Sequence, residues 1–306
     1  MDEFDEDIIQ ELQKDGRAQF SALASKLGIH RNLVAQRVHH LTQTGEIRIA
    51  AAVHPRVVGL PVQASLELRI DGTTAPALRR VLELPNIVLL SEISGPAQAI
   101  VEVWAVNHDE ITRAIRTVQE IPGVTEVRFA LYDRILRHIR LGVDSEPPDV
   151  ELDDFDIALI SQLQLDGRST FGQLARLTGR SPSACRARVL RLTASDVVRV
   201  GAVRNRLSVT GSMLFGIGLF LSGDPAGRAA AEQLLVQTPL LEFAARVLGR
   251  YDLLATVSVR SITEYNEIMH TLRAHPCIRR VESWIHASIW TERYQWSTEQ
   301  LAASRR

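Results

Sequence analysis

Asn32, Gln36 and His39 fall on one side of a stretch whose other side carries Val34, Val38 and Leu41. At 100° per residue the apolar three occupy a narrow arc that must face a core, which turns the polar three outward. Asn and Gln can pair bidentately with adenine, and a His ring can donate or accept at a base edge, so the chemistry on offer is base recognition in a major groove. His30, Arg31 and His40 lie nearer to where phosphates would run. The competing reading of this surface is an ordinary solvated polar face.

A second stretch repeats the pattern. Phe20, Leu23, Ala24, Gly28, Arg37, Val38 and Leu41 recur as Phe171, Leu174, Ala175, Gly179, Arg188, Val189 and Leu192, always 151 positions later (171 − 20). In this copy the outward positions are Ser183, Ala187 and Leu190, flanked by Arg186 and Arg191. Ser181, Ser183, Arg186, Arg188 and Arg191 are its candidate DNA contacts. This helix carries less to read bases with and more charge to attract phosphates. Arg37 and Arg188 sit beside the buried stripe, so two roles stay open for them: a DNA contact, or an ion pair with an acid of the preceding helix such as Asp5 or Asp156.

The elements that position these residues follow from periodicity. Phe4, Ile8, Ile9 and Leu12, repeated as Phe155, Leu159, Ile160 and Leu163, make a first helix in each half. Asp15-Gly16 turns the chain, residues 20–27 form a second short helix, and Gly28 breaks it before the third, which is the order of a helix-turn-helix. After Pro55 the period changes to 2: Val62, Ala64, Leu66, Leu68 and Ile70 alternate with Gln63, Ser65, Glu67 and Arg69, the pattern of a half-buried strand. A helix over 75–84, strands over 87–94 and 97–105, a helix opened by Asn107 and a strand after Pro122-Gly123 complete βαββαβ, the order of a ferredoxin-like sandwich. Residues 214–287 repeat it at an offset of 154, seen in Gly95/Gly249, Val103/Val257 and Pro122/Pro276, with Ser261 to Glu264 as a capping box.

The predicted fold class is therefore α+β, with two winged helix-turn-helix domains, each followed by a ferredoxin-like sandwich. The expected domains are 1–50 and 60–143, a linker at 144–151 carrying Pro147 and Pro148, then 152–200 and 212–296.

Composition narrows the function. The chain has 306 residues, 45% hydrophobic and 23% charged, enough for several packed domains. Its net charge of −1 hides an uneven distribution: Arg168, Arg176, Arg180, Arg186, Arg188, Arg191, Arg199, Arg204 and Arg206 face a single acid, Asp196, across 168–206, while acids crowd the first helix. An arginine-rich solvated surface is the other reading of that stretch. Cys185 and Cys277 are the only cysteines and lie in no CxxC or Cys/His cluster, so neither disulfides nor a metal site is expected. The longest apolar run, 214–221, is too short for a membrane helix, and the acidic start is no signal peptide, which predicts a cytoplasmic protein without a membrane partner.

These motifs together resemble the Lrp/AsnC (feast/famine) regulators, present as a tandem fusion of two copies over nearly the whole chain. The second copy carries the closer signature, in Ser181 to Leu192 and in Gly249-Arg250-Tyr251-Asp252, where the first copy reads Gly95-Pro96-Ala97-Gln98. The resemblance implies double-stranded DNA as partner, homo-oligomers (a dimer or larger) joined through the sandwiches, and an amino acid or related small molecule as effector. Gly249, Arg250, Tyr251 and Asp252 are its candidate contacts: backbone N–H groups for a carboxylate and a side-chain acid for an ammonium. A plain β-turn, with Asp252 capping locally, is the alternative.

A transcription regulator with no catalytic residues and no cofactor is the expectation. The rival is an enzyme, because siroheme decarboxylases resemble this family in fold. Such an enzyme would need basic and histidine side chains gathered on the sandwich, and His108, His138, His270, His275 and His286 are the residues to follow. A ligand-binding assembly that no longer touches DNA is a third reading, opposed by the arginine density of the second copy.

Overall fold

The computed structural model describes residues 4–139, 141, 151–205 and 212–303, so most of the expected 144–151 linker, and Arg206, lie outside the described residues. The chain divides into two compact units: residues 1–59, 139–210 and 294–306 form one, and residues 60–138 and 211–293 the other.

The first unit contains both helix-turn-helix segments. The N-terminal one is α1 (Asp5–Lys14), α2 (Phe20–Leu27), α3 (Arg31–Gln43) and strand β1 (Ile47–Val53). Its counterpart is α6 (Asp154–Leu165), α7 (Phe171–Thr178), α8 (Pro182–Ala194) and β6 (Val198–Arg204). Gly28 and Gly179 end α2 and α7 in the left-handed region, at φ 68° and 67°, where a side chain is strained. Short α11 (Thr298–Ala303) packs on α6, and Gln164 and Trp296 exchange two hydrogen bonds of 2.8 and 2.9 Å there.

β1 and β6 pair antiparallel, Ile47 opposite Arg204 and Val53 opposite Val198, so that Ala50 faces Gly201. Ala50 and Gly201 are counterparts in the 151-residue repeat, so the pairing is symmetric about that point: the two halves meet through the same surface of each. Packing is crossed as well, α1 against β6 and α6 against β1.

Around this ribbon the repeated Asp-Gly-Arg turns interlock. The Gly16 N–H donates to the Val200 carbonyl and the Gly167 N–H to the Ile49 carbonyl, both at 2.8 Å. The Arg17 guanidinium donates to the carbonyls of Gly167 (2.6 Å) and Ser169 (3.1 Å); that of Arg168 donates to Gly16 (2.9 Å) and Ala18 (3.0 Å). Each also stacks on the other half's aromatic ring, Arg17 on Phe171 and Arg168 on Phe20. Burial pushes both guanidiniums below the ordinary arginine value.

Asp15-Gly16 turns the chain as expected, and the structure adds a reason for the glycine there. Neither Gly16 nor Gly167 has a positive φ. A Cβ on Gly16 would instead stand 3.0 Å from Gly201 Cα, and one on Gly167 3.1 Å from Ala50 Cα. These glycines allow close approach between halves, a requirement that appears only when the second half is present.

The second unit is a closed barrel built from β2 (Val62–Ile70), β3 (Ile87–Ser94), β4 (Ala99–Ala105), β5 (Val124–His138), β7 (Met213–Leu221), β8 (Leu241–Gly249), β9 (Leu253–Val259) and β10 (Ile278–Glu292). Its strand order is β10-β3-β4-β2-β5-β8-β9-β7. Helices α4 (Ala75–Leu82) and α5 (His108–Gln119) pack on the first half, α9 (Pro225–Gln237) and α10 (Ile262–Ala274) on the second, giving βαββαβ twice. Each half donates its 15-residue last strand to the other's edge: Leu131 lies opposite Leu248, and its counterpart Ile285 lies opposite Ser94. Both seams bulge at matching places, between Tyr132 and Arg134 and between His286 and Ser288.

Closure overturns the expectation of a half-buried strand at 62–70. Ala64, Leu66 and Leu68 face the helices as expected, but Gln63, Ser65 and Glu67 on the opposite face are also buried. That face lies inside the barrel, where polar side chains are enclosed too. The 154 offset is corrected as well. Val62 corresponds to Met213 and Ile70 to Leu221, still 151 apart, so the extra three residues enter between β7 and β8, where α9 is longer than α4. The capping box at Ser261 is half formed: its hydroxyl accepts from the Glu264 N–H, whereas the Glu264 carboxylate accepts from the Arg260 N–H.

Gly16→Ala and Gly167→Ala are each expected to lower the unfolding free energy by about 1–3 kcal/mol through overpacking. Gly172→Ala, inside α7 with only Thr170 Oγ1 near its Cβ at 4.0 Å, is expected to be neutral or stabilising by roughly 0.5–1 kcal/mol. Urea unfolding of the three variants measures both; equal effects would remove the close-approach argument.

Candidate functional site

Every outward candidate on the first helix-turn-helix, the first reader of the expected pair, is exposed: His30, Arg31, Asn32, Gln36, His39 and His40. Val34, Val38 and Leu41 are buried on the opposite side of α3. On α8 the exposed set is Ser183, Arg186, Ala187, Leu190 and Arg191, with exposed Ser181 preceding the helix and Cys185, Val189 and Leu192 buried.

Arg188 does not belong with the outward set. Its guanidinium donates to Asp153 at 2.9 Å and to Asp156 at 3.0 Å. Asp156 is fully buried, and leaving it unpaired would be costly, so the acid holds the arginine inward. Arg37 does the same for buried Asp5, through two bonds of 2.8 and 2.7 Å. Arg191 also reaches Asp156, at 3.2 Å, but keeps 53% of its side chain exposed and can turn to a phosphate. Arg168 is consumed by the contact between halves and Arg204 by Glu6. The arginine-rich stretch is thus divided between structural pairs and a basic surface made by Arg176, Arg180, Arg186 and Arg191.

The readers are built with different firmness. Asp153 and Thr170 make capping boxes at α6 and α7, and Ser181 Oγ accepts from the Ala184 N–H at 3.2 Å. Gln19 and His30 stand at the places of Thr170 and Ser181 in the first copy without a side-chain cap bond, and the counterpart of Asp153, Asp2, lies outside the described residues. Each cap is worth about 1 kcal/mol, so the second reader's helices are the more tightly fixed.

The loop at Gly249 to Asp252 behaves differently from the expected zwitterion site. Asp252 is already occupied: Oδ2 accepts from the Leu221 N–H at 2.8 Å, and Oδ1 pairs with Arg228. In the first half Gln98 performs the same backbone task, its Oε1 accepting from the Ile70 N–H at 3.0 Å. A neutral amide suffices for that bond, so in both halves this position caps a strand end. Gly249, at φ 132°, passes so close to the Phe129 carbonyl that a Cβ would stand 2.6 Å from it.

Arg250 and Tyr251 turn into the barrel. Arg250 pairs with Glu67 and, at 2.7 Å, with Glu282, and the Tyr251 hydroxyl donates to Glu282 at 3.1 Å. The Tyr251 ring lies over Gly218 and the Trp284 indole over Gly216, where any Cβ would collide. Burial pushes the Tyr251 hydroxyl well above its usual range, so it remains a donor. Burial also raises the Glu67 carboxyl, against the lowering pull of Tyr251 and Arg250. This cluster occurs once: the counterparts of Glu67, Arg250 and Glu282 are Gly218, Pro96 and Arg128. Sequence reasoning missed both Glu67 and Glu282: alternation marked Glu67 for solvent, and no motif pointed to Glu282.

The histidines do not converge. His108 and His270 are exposed on α5 and α10, His275 Nδ1 accepts from the Cys277 N–H, His138 lies edge-on to Phe243, and His286 meets Ser91 at 2.9 Å. Among the described residues no group of three or more His, Cys, Asp or Glu is placed to share a metal ion, and no helix is long and apolar enough to cross a membrane.

Because burial raises Glu67, its contribution to stability is present below the ordinary carboxyl value of 4.5 and is lost as pH rises through the higher folded value. Glu67→Gln should therefore flatten the fall in stability between about pH 4.5 and neutrality, measured by urea unfolding across that range. Parallel wild-type and variant curves would show that Glu67 titrates normally.

Comparison with known proteins agrees with this architecture. The AsnC-type helix-turn-helix domain matches residues 1–42 and 152–193, and the Lrp/AsnC ligand binding domain matches residues 217–296. The glutamate uptake regulatory protein of Zymomonas mobilis is 31% identical over 132 residues, 40% of this chain and 76% of that protein. The HTH-type transcriptional regulator LrpA of Mycobacterium tuberculosis is 28% identical over 142 residues, 46% of this chain and 95% of its own length. Among solved structures, the siroheme decarboxylase NirDL aligns with a TM-score of 0.62 at 15% identity, over 97% of this chain and 96% of that one. At that identity the likeness is one of fold. With paired recognition-helix domains, a matched sensing domain and regulator relatives that each span about half its length, the chain is a member of the Lrp/AsnC family carrying two copies of the family's architecture in one polypeptide.

Proposed function

We propose that this protein is a sequence-specific DNA-binding transcription regulator whose single chain supplies both readers of a dimer. The observation that carries this is the symmetric pairing about Ala50 and Gly201, locked by Arg17 and Arg168, with a recognition helix exposed on each side of the pseudo-two-fold. Two-fold protein symmetry is matched by paired half-sites in DNA. Since Asn32, Gln36 and His39 differ from Ser183, Ala187 and Leu190, the operator is an imperfect palindrome. The working domains are 1–50 and 152–200 for DNA and 60–143 and 212–296 for sensing, and such a partner implies a cytoplasmic protein.

The effector class that family membership supports is an amino acid or related small molecule, acting through differential binding to assembly states of several chains. Asp252 already bonds the Leu221 N–H and Arg228, which weighs against it as the ammonium contact. The enzyme reading draws on the fold shared with a siroheme decarboxylase; the dispersed histidines weigh against it, and the exposed basic helices favour the regulator.

A mobility shift of the full chain on its own upstream DNA, at two salt concentrations and with and without an amino-acid pool, tests the proposal. Specific binding that weakens steeply with salt and shifts with the pool supports it. Failure to bind at low salt, together with a new absorbance band on haem addition, would move the enzyme reading forward.

The readers divide the work. Gln36→Ala is expected to reduce discrimination at one half-site by about 1–3 kcal/mol with little change in salt dependence. Arg191→Ala should weaken all sequences alike and lower the slope of log affinity against log salt by about 0.9. Equal loss of sequence preference from both variants would sink the division.

A further inference from the structure

The second recognition helix presents a different surface from the first. Position for position, Asn32, Gln36 and His39 become Ser183, Ala187 and Leu190. Those three are exposed on one side of α8, and Leu190 shows 55% of its surface. An exposed leucine alone signifies little. Its setting is what matters: it occupies a reading position, one turn beyond Ala187, on a helix pair whose residues 171–194 contain no acid. Arg176, Arg180, Arg186 and Arg191 are exposed there, a positive frame that fits phosphates and would repel a basic partner.

With DNA held in such a frame, the surface that Ala187 and Leu190 would meet is the edge of base pairs in the major groove. The apolar group displayed on that edge is the thymine 5-methyl. Ser183, at the start of the helix, can bond any base through its hydroxyl and adds little choice. Hydrogen-bonding side chains at these positions would have read adenine; apolar ones lose nothing against a methyl and gain by excluding water from it.

Resting on the DNA-binding reading above, we propose that α8 reads thymine methyl groups through Leu190 and Ala187, so that the two half-sites are recognised by hydrogen bonds at one and by methyl contact at the other. The caps on α6, α7 and α8 suit this task, because apolar contact is short-ranged and needs the helix held in place.

The test begins with an operator selected from random-sequence duplexes by the full chain, its half-sites assigned by which one loses preference in Gln36→Ala. Thymines are then replaced by uracil in one half-site at a time. Wild type is expected to bind about fourfold more weakly per contacted methyl when the second reader's half-site carries uracil, the equivalent of about 0.8 kcal/mol. The same change in the first half-site should have little effect. Leu190→His, whose folding circular dichroism can verify, should lose the preference for thymine at the position that Leu190 contacts and keep it at the position that Ala187 contacts, and Leu190→Ala should weaken the first preference. Selected binding with no thymine preference in either half-site overturns the methyl proposal and leaves the regulator reading intact. Failure to select any sequence overturns both.

Discussion

The approach of each Asp-Gly-Arg turn to the strand of the opposite half sets what the rest of the first unit can do. A Cβ at Gly16 would push the α1 turn from β6, and one at Gly167 the α6 turn from β1, and with them the bonds that Arg17 and Arg168 make across the junction. Each guanidinium is desolvated and lies near the other, an arrangement that would be unfavourable were its donors not satisfied by carbonyls. Two carbonyls and one aromatic ring per arginine meet that need. The junction is therefore costly to loosen partway, because releasing one arginine leaves buried carbonyls and a buried charge unpartnered together.

The barrel follows the same rule through strands. A ferredoxin-like half has two open edges, and an unpaired edge is a hazard. The long last strand of each half closes the other's edge, so both seams vanish in one step. Symmetry ends inside. Tyr251 and Trp284 fill one end over Gly218 and Gly216, whereas the counterparts of the two aromatics are Ala97 and Ala130 and those of the two glycines are Glu67 and Ser65. Two identical chains would have to place the same residues at both ends. A fused chain is released from that constraint, and the single Glu67–Arg250–Glu282 cluster is a product of the release.

What was legible in the sequence was local. Alternation and helical stripes marked the three-helix readers and the βαββαβ order, and the arc of Val34, Val38 and Leu41 correctly turned Asn32, Gln36 and His39 outward. What escaped was set by contacts distant in sequence. Gly16 read as a turn residue because its real neighbour is Gly201, and Glu67 read as solvated because barrel closure is not written in one strand's alternation. Asp252 offered a charge that suited a ligand, yet the Leu221 N–H had first claim on it, as Gln98 shows by doing the same with no charge.

These constraints limit how an effector can act. Along β1 and β6 a slip of one residue would move Ala50 off Gly201, where Gly167 and Gly16 make their close approaches, and would turn the buried Val198, Val200 and Ala202 to the other face of β6, so the seven-residue register has no neighbouring state of similar energy. The reciprocal arginine bonds add a second condition that must fail at the same moment. A ligand shifts an equilibrium only between states that both exist, in proportion to its preference for one of them. The spacing of the two readers within a chain is not such an equilibrium. If binding of a small molecule alters DNA recognition, the two-state element has to lie in how chains associate with one another, where register is not fixed by a shared ribbon.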